Sequence, residues 1–187
     1  MSDYSKLIVI TNRLLCEGDF IKQIEKVCGL KPCSLILREK DLSEKEYEAL
    51  AVKISGICEK NGVPFYIHSH IDLAQKYGFR NIHLSVSALR ESKDRLGGFE
   101  NISVSCHGEE DVKEAENAGA ARIVLGTIFE TDCKPGLEGR GVSFVKEICG
   151  KTGLPVYAIG GITPENLGSV LEAGAAGGCM MSAFMKM

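Results

Sequence analysis

Eight short apolar runs recur along the chain, each bounded by turn residues and separated from the next by a helical pattern. The runs read as strands at Leu7–Thr11, Ser34–Arg38, Pro64–Ile67, Asn81–Leu84, Ile102–Ser105, Arg122–Gly126, Pro155–Ile159 and Gly178–Met181. They are near-continuously apolar rather than alternating, which predicts strands buried on both faces. Strand–helix repetition of this kind implies a parallel sheet with right-handed crossovers. Eight such units favour a compact α/β fold, a (β/α)8 TIM barrel spanning residues 1–187 as one domain, over an open flavodoxin-like sheet.

The intervening patterns predict helices. Glu17–Cys28 carries Phe20, Ile21, Ile24, Val27 and Cys28 on one stripe. Ser43–Lys60 opens with the capping-box spacing of Ser43 and Glu46. Asp72–Tyr77 is short, Val86–Leu96 is the weakest pattern, and Glu109–Ala118 and Val142–Thr152 are clear. In Pro164–Ala173, Thr163 is placed as N-cap and Pro164 at the first helical position. After the eighth run little chain remains, so the last helix is expected to be short or missing. That leaves Phe184 and Met185 as an apolar edge, expected to be covered by a second copy in a homodimer.

Composition excludes some classes of function. A net charge of -3 argues against a nucleic-acid binder with a broad basic surface. No segment is apolar enough for a bilayer span, and the N-terminus has no basic n-region, so no membrane role and a cytoplasmic location are expected. The eight cysteines include no C-x-x-C pair and are read as free thiols in a reducing compartment.

In a barrel of parallel strands the site lies at their C-terminal ends. Those ends carry Arg38 and Lys40; His68, Ser69 and His70; Ser85 and Ser87; Ser105, Cys106 and His107; Thr131 and Lys134; Gly160 and Gly161; and Met181 and Ser182. Gly160-Gly161 and Met181-Ser182 follow the seventh and eighth strands, where backbone N–H groups often hold phosphate. The long loop Ile128–Gly141, with Lys134 and Arg140, suits a chain shaped around an anion. His107 is the candidate acid/base, since an imidazole both takes and gives a proton near neutrality. A zinc site from His68 and His70 with His83 or His107 is the weaker alternative, because His83 lies inside an apolar run where a satisfied core histidine is commoner. Cys106 and Cys133 show no sign of an activated thiol.

The same residues carry a family resemblance along the whole chain. Leu37-Arg38-Glu39-Lys40, Ile71-Asp72-Leu73-Ala74, Ile82-His83-Leu84, Ser103-Val104-Ser105-Cys106-His107, Phe129-Glu130-Thr131-Asp132-Cys133-Lys134 and Ala158-Ile159-Gly160-Gly161-Ile162 resemble, in order, the thiamine phosphate synthase/TenI family. The resemblance implies the same barrel and one of two chemistries. Synthases join a pyrimidine pyrophosphate to a thiazole phosphate with magnesium, held by aspartates that here correspond to Ser69 and Ala88. Their glutamine before Leu-Arg-Glu-Lys is Ile36 here. The TenI branch is similar almost residue for residue over Phe129–Lys134 and then Gly136–Ser143. It implies a thiazole tautomerase of thiamine biosynthesis, an isomerase without metal or cofactor, with His107 as acid/base. Its partner would be a small phosphorylated thiazole, with phosphate on Gly160, Gly161, Met181 and Ser182. Arg38, Lys40, Ser105, Thr131 and Lys134 would bind the rest of the substrate. A diverged synthase and a non-catalytic regulator that binds thiazole or thiamine phosphate are the alternatives.

Overall fold

The computed structural model describes residues 4–131, 136 and 138–187. Strands β1 (Leu7–Ile10), β2 (Ser34–Leu37), β3 (Phe65–His68), β4 (Asn81–Ser85), β5 (Asn101–Cys106), β6 (Arg122–Gly126), β7 (Val156–Ile159) and β8 (Gly177–Met180) close into one parallel barrel in sequence order. Leu7 lies opposite Gly178 where β1 meets β8. All eight expected strands are present, with no end shifted by more than one residue.

Successive side chains of a strand point to opposite faces, so each run is apolar for two different reasons. One set packs outward under the helices, in a cluster that includes Leu7, Val9, Leu35, Leu37, Ile82, Leu84 and Ile123. The other fills the barrel, where Ile8, Ile10, Ile36, Tyr66, Val124 and Cys179 form a second cluster. The interior is not uniformly apolar. The register places His68 opposite His83, His83 opposite Ser103, and Ser103 opposite Arg122. A polar row thus crosses β3 to β6 inside the barrel, one layer below Ser85, Ser105 and Val124.

The helices are α1 (Phe20–Gly29), α2 (Glu44–Asn61), α3 (Ile71–Tyr77), α4 (Val86–Glu91), α5 (Glu109–Asn117), α6 (Gly141–Cys149), α7 (Leu167–Glu172) and α8 (Ser182–Met185). The capping box of α2 forms as its spacing predicts, with both the Ser43 and Glu46 side chains engaged. The first helix starts later than expected because Asp19 accepts from the N–H groups of Ile21 and Lys22 and sets the end there. The weak pattern after β4 gives α4 and then a separate 3₁₀ turn at Lys93–Arg95. Thr163 is not the N-cap of α7. Residues 164–166 form a turn, in which the Asn166 side chain accepts from the Thr163 N–H and donates to the Gly161 carbonyl.

The last helix is short, as expected, but it does not leave an apolar edge. Phe184 and Met185 are each 1% exposed within the single chain. Phe184 lies 6.1 Å from the Tyr4 ring, centre to centre, and its carbonyl accepts from Gln23 Nε2 at 2.6 Å. The homodimer expected from these two residues loses that motive. No helix among the described residues is long and apolar enough to cross a membrane.

Candidate functional site

A cavity of about 1020 Å³ opens at the C-terminal ends of the strands. Arg38, Lys40, Ser105, His107, Thr131, Gly160, Gly161, Met181 and Ser182 all line it, so the fold brings together every expected site residue that is described. Lys134 lies outside the described residues, as does Cys133. Asn12, Thr127, Thr163 and Lys186 also line the cavity and were not expected there. Asn12 was findable, since it stands just past the end of β1 and the strand-end rule applies to it as to the others. Lys186 arrives only because α8 folds back over the barrel.

His107 follows β5 directly and is held from several sides. Its backbone N–H donates to Asp111 Oδ2 at 2.7 Å, in the first turn of α5. Its carbonyl accepts from Arg140 Nη1, whose guanidinium lies over the Phe144 ring. Its Nδ1 is 2.8 Å from the Gly126 carbonyl. A carbonyl only accepts, so Nδ1 carries a proton, and in the uncharged ring it is Nε2 that keeps a lone pair. Held this way, the uncharged form of the imidazole can act as a general base through Nε2.

Just past the end of β2, Arg38 and Lys40 reach the cavity while Glu39 between them turns away. The buried Glu39 carboxylate accepts from Thr11 Oγ1 at 2.6 Å and from the Arg13 N–H. Burial raises its pKa, against the lowering by Thr11 and Arg13. Among the described lining residues, Arg38, Lys40 and Lys186 are cations and none is Asp or Glu. The cavity therefore favours an anionic ligand.

Gly160 and Gly161 line the cavity with φ of 100° and 61°. Their missing side chains are not open space, however. A Cβ on Gly160 would meet Thr127 Cγ2 at 2.4 Å, and one on Gly161 would meet the Glu130 carbonyl at 2.5 Å. The glycines let the segment after β6 pack against the turn after β7, where the N–H groups of Ile128 and Phe129 donate to the Ile159 and Gly160 carbonyls. The base of the long loop closes on itself as well, Arg140 and Gly141 donating to the Thr127 and Ile128 carbonyls. Part of the signal assigned from sequence to phosphate approach thus serves loop packing.

The zinc alternative does not survive the geometry. Ser69 takes a φ of 65°, which breaks the extended path that would have aimed His68 and His70 together. His68 lies beside His83, ring centres 5.6 Å apart, whereas His70 stacks on Tyr47 at 3.8 Å. No cluster of three or more His, Cys, Asp or Glu side chains fit to hold a metal occurs among the described residues. His83 is instead a satisfied core histidine, with Nδ1 2.9 Å from Ser103 Oγ and Nε2 2.8 Å from Ser105 Oγ. Burial, and then Arg38, Lys40 and His70, push His68 down to about 4. Burial pushes the Cys106 thiol up to about 12, as suits a core residue rather than a nucleophile.

The family model described as thiamine monophosphate synthase matches residues 7–184. A thiamine-phosphate synthase of Clostridium acetobutylicum is 31% identical over 185 residues, covering 98% of this chain and 88% of that protein. One from Coprothermobacter proteolyticus is 34% identical over 182 residues, covering 95% and 86%. Among solved structures, thiamine phosphate pyrophosphorylase from Pyrococcus furiosus superposes with a TM-score of 0.82 at 23% identity, covering 98% of this chain and 88% of that one. The last of these speaks for the fold alone.

Proposed function

The chain belongs to the thiamine monophosphate synthase family, and within it we propose that it is a thiazole tautomerase, aromatising a carboxythiazole phosphate by proton transfer at His107. The observation that carries this reading is a cavity with an oriented imidazole, three cations and no carboxylate among its described lining residues. Synthase chemistry calls for magnesium, which takes oxygen ligands, chiefly carboxylates and substrate phosphates. The position of one synthase aspartate, Ser69, lines the cavity as a hydroxyl, and that of the other, Ala88, offers no ligand atom. The described residues do not fit that ion.

Tautomerisation asks less of the protein. A proton leaves a ring carbon for His107 Nε2, the electron pair it leaves aromatises the ring, and a proton adds to the exocyclic alkene carbon. Nδ1–H, held by the Gly126 carbonyl, stabilises the imidazolium formed in between. In this reading the phosphate lies on the backbone of Gly160, Gly161, Met181 and Ser182. The substrate carboxylate takes Arg38, Lys40, Ser105 and Thr131. Turnover of the exocyclic carboxythiazole phosphate is the test. Wild type should convert it without added metal, and His107→Ala should lose at least about a hundredfold in kcat. An inactive wild type, or an undiminished variant, would refute the reading.

The names of the curated relatives support a second reading, the transferase: a diverged synthase in which Arg38 and Lys40 hold the pyrophosphate. Magnesium-dependent formation of thiamine phosphate from the pyrimidine pyrophosphate and thiazole phosphate would establish it. Absence of that product at every magnesium concentration would remove it.

A further inference from the structure

The polar row inside the barrel has a direction, and one residue sets it. Arg122 is 7% exposed, and the described residues give its guanidinium no ion pair. The charge lies over the Tyr66 ring at 3.9 Å and the Tyr157 ring at 5.4 Å. Its Nε donates to Ser103 Oγ at 3.2 Å, while Nη2 has no hydrogen-bond partner among the described residues.

We propose that Arg122, Ser103 and His83 are positioning residues that fix the Ser105 hydroxyl as a donor toward an anionic oxygen of the bound ligand. An arginine has only donors, so Ser103 must accept from it. The remaining partner of the fully buried Ser103 is His83 Nδ1 at 2.9 Å, and among the described residues it alone can take the Ser103 proton. His83 Nδ1 is then bare and its single proton sits on Nε2, 2.8 Å from Ser105 Oγ. Ser105 accepts that bond, and its own proton is left to point into the cavity it lines. Burial, and then His68, Arg122 and Arg38, hold the His83 pKa far below its ordinary value, so the ring has only one proton to place. A hydroxyl oxygen has two lone pairs, so the guanidinium acts through its charge, which opposes a second N–H, from His83 Nδ1, pointing at the same oxygen; without that charge the chain can run backwards. Ser103 would accept from Nδ1–H, Ser105 would donate to Nε2, and a bare Ser105 lone pair would face a carboxylate or phosphate. That the ligand is an anion rests on the function proposed above; the placement of the His83 proton does not.

Nitrogen-15 NMR of histidine-labelled, ligand-free full-length protein tests the placement directly. His83 should show a pyrrole-like Nε2 and a pyridine-like Nδ1, and the opposite assignment would overturn the proposal. Arg122→Met keeps bulk between the two tyrosines and should move His83 toward the other tautomer; an unmoved ring would overturn the role of Arg122. Binding of the aromatic carboxythiazole phosphate should weaken about tenfold in Arg122→Met. In a Ser105→Ala background the same substitution should cost nothing further. Equal losses in both backgrounds would mark Arg122 as merely structural. Should Arg122→Met fail to fold, Ser103→Ala breaks the same chain and is read by the same two measurements. If wild type does not bind this ligand at all, the proposed function fails while the NMR assignment still decides the direction of the chain.

Discussion

His68 and His83 stand side by side in the barrel, and burial holds both uncharged. An unfolded histidine binds a proton below about pH 6.5, which these two in the folded chain do not. Between that pH and the folded value, the unfolded state therefore binds more protons, and stability rises with pH. Stability present above about pH 6.5 is lost as the pH falls toward about 4, by roughly 3 kcal/mol for His68 alone. Urea midpoints measured from pH 7 downward should fall across this window, and His68→Gln should flatten the fall; a flat wild-type profile would contradict the burial argument. Gly161 offers a second test. Alanine there meets both a φ of 61° and the Glu130 carbonyl at 2.5 Å. Gly161→Ala should destabilise the fold by about 1–3 kcal/mol, read by the denaturant midpoint. At this scale the sequence was informative where chemistry follows from position. His107 and Ser105 line the cavity, as their places at the end of β5 imply. Arg122 was passed over, because a charge at the head of an apolar run looks like a strand boundary until the barrel closes around it.

Among the elements, α2 does more than cover the sheet. Tyr47, 1% exposed, sends its hydroxyl to the ends of two strands, donating to the Leu37 carbonyl at 2.6 Å and accepting from the His68 N–H at 3.3 Å. It ties the ends of β2 and β3 together just where Arg38 and His68 enter the cavity. Tyr47→Phe leaves both backbone groups unpaired and should cost about 1–3 kcal/mol in thermal or urea unfolding. An unchanged stability would show that solvent reaches those groups. The eight strands and most helices were legible because burial on two faces leaves a plain apolar run, and because a cap such as Ser43 with Glu46 acts over three residues. The start of α7 was not legible. It depends on the Asn166 amide reaching back to Gly161 and Thr163, a choice made by the loop and not by the Thr163-Pro164 pair that suggested a cap.

The whole molecule is a shell of helices around a barrel whose interior changes character from side to side. β1 and β2 contribute Ile8, Ile10 and Ile36, while β3 to β6 contribute His68, His83, Ser103 and Arg122. The cavity above inherits this asymmetry, with hydroxyls and imidazoles on one wall and Ile10, Ile36 and Ile159 on the other. Such a pocket suits a flat ring carrying charged substituents. The expected architecture could be read from the order of the strands. The closure of the last helix over Tyr4 could not, because it joins residues from the two extremes of the sequence.

That contact has a consequence for the order in which the chain is strung. With the Tyr4 and Phe184 rings 6.1 Å apart, a short flexible bridge can splice the two ends, and new ends can be cut at the exposed Gly97-Gly98 turn between α4 and β5. That turn leads from a helix into a strand, so it lies on the face opposite the cavity. The rewired circular permutant should assemble the same barrel and keep its ligand affinity. A permutant that folds but no longer binds would mean that the splice, and not the barrel, governs how α8 brings Lys186 to the mouth.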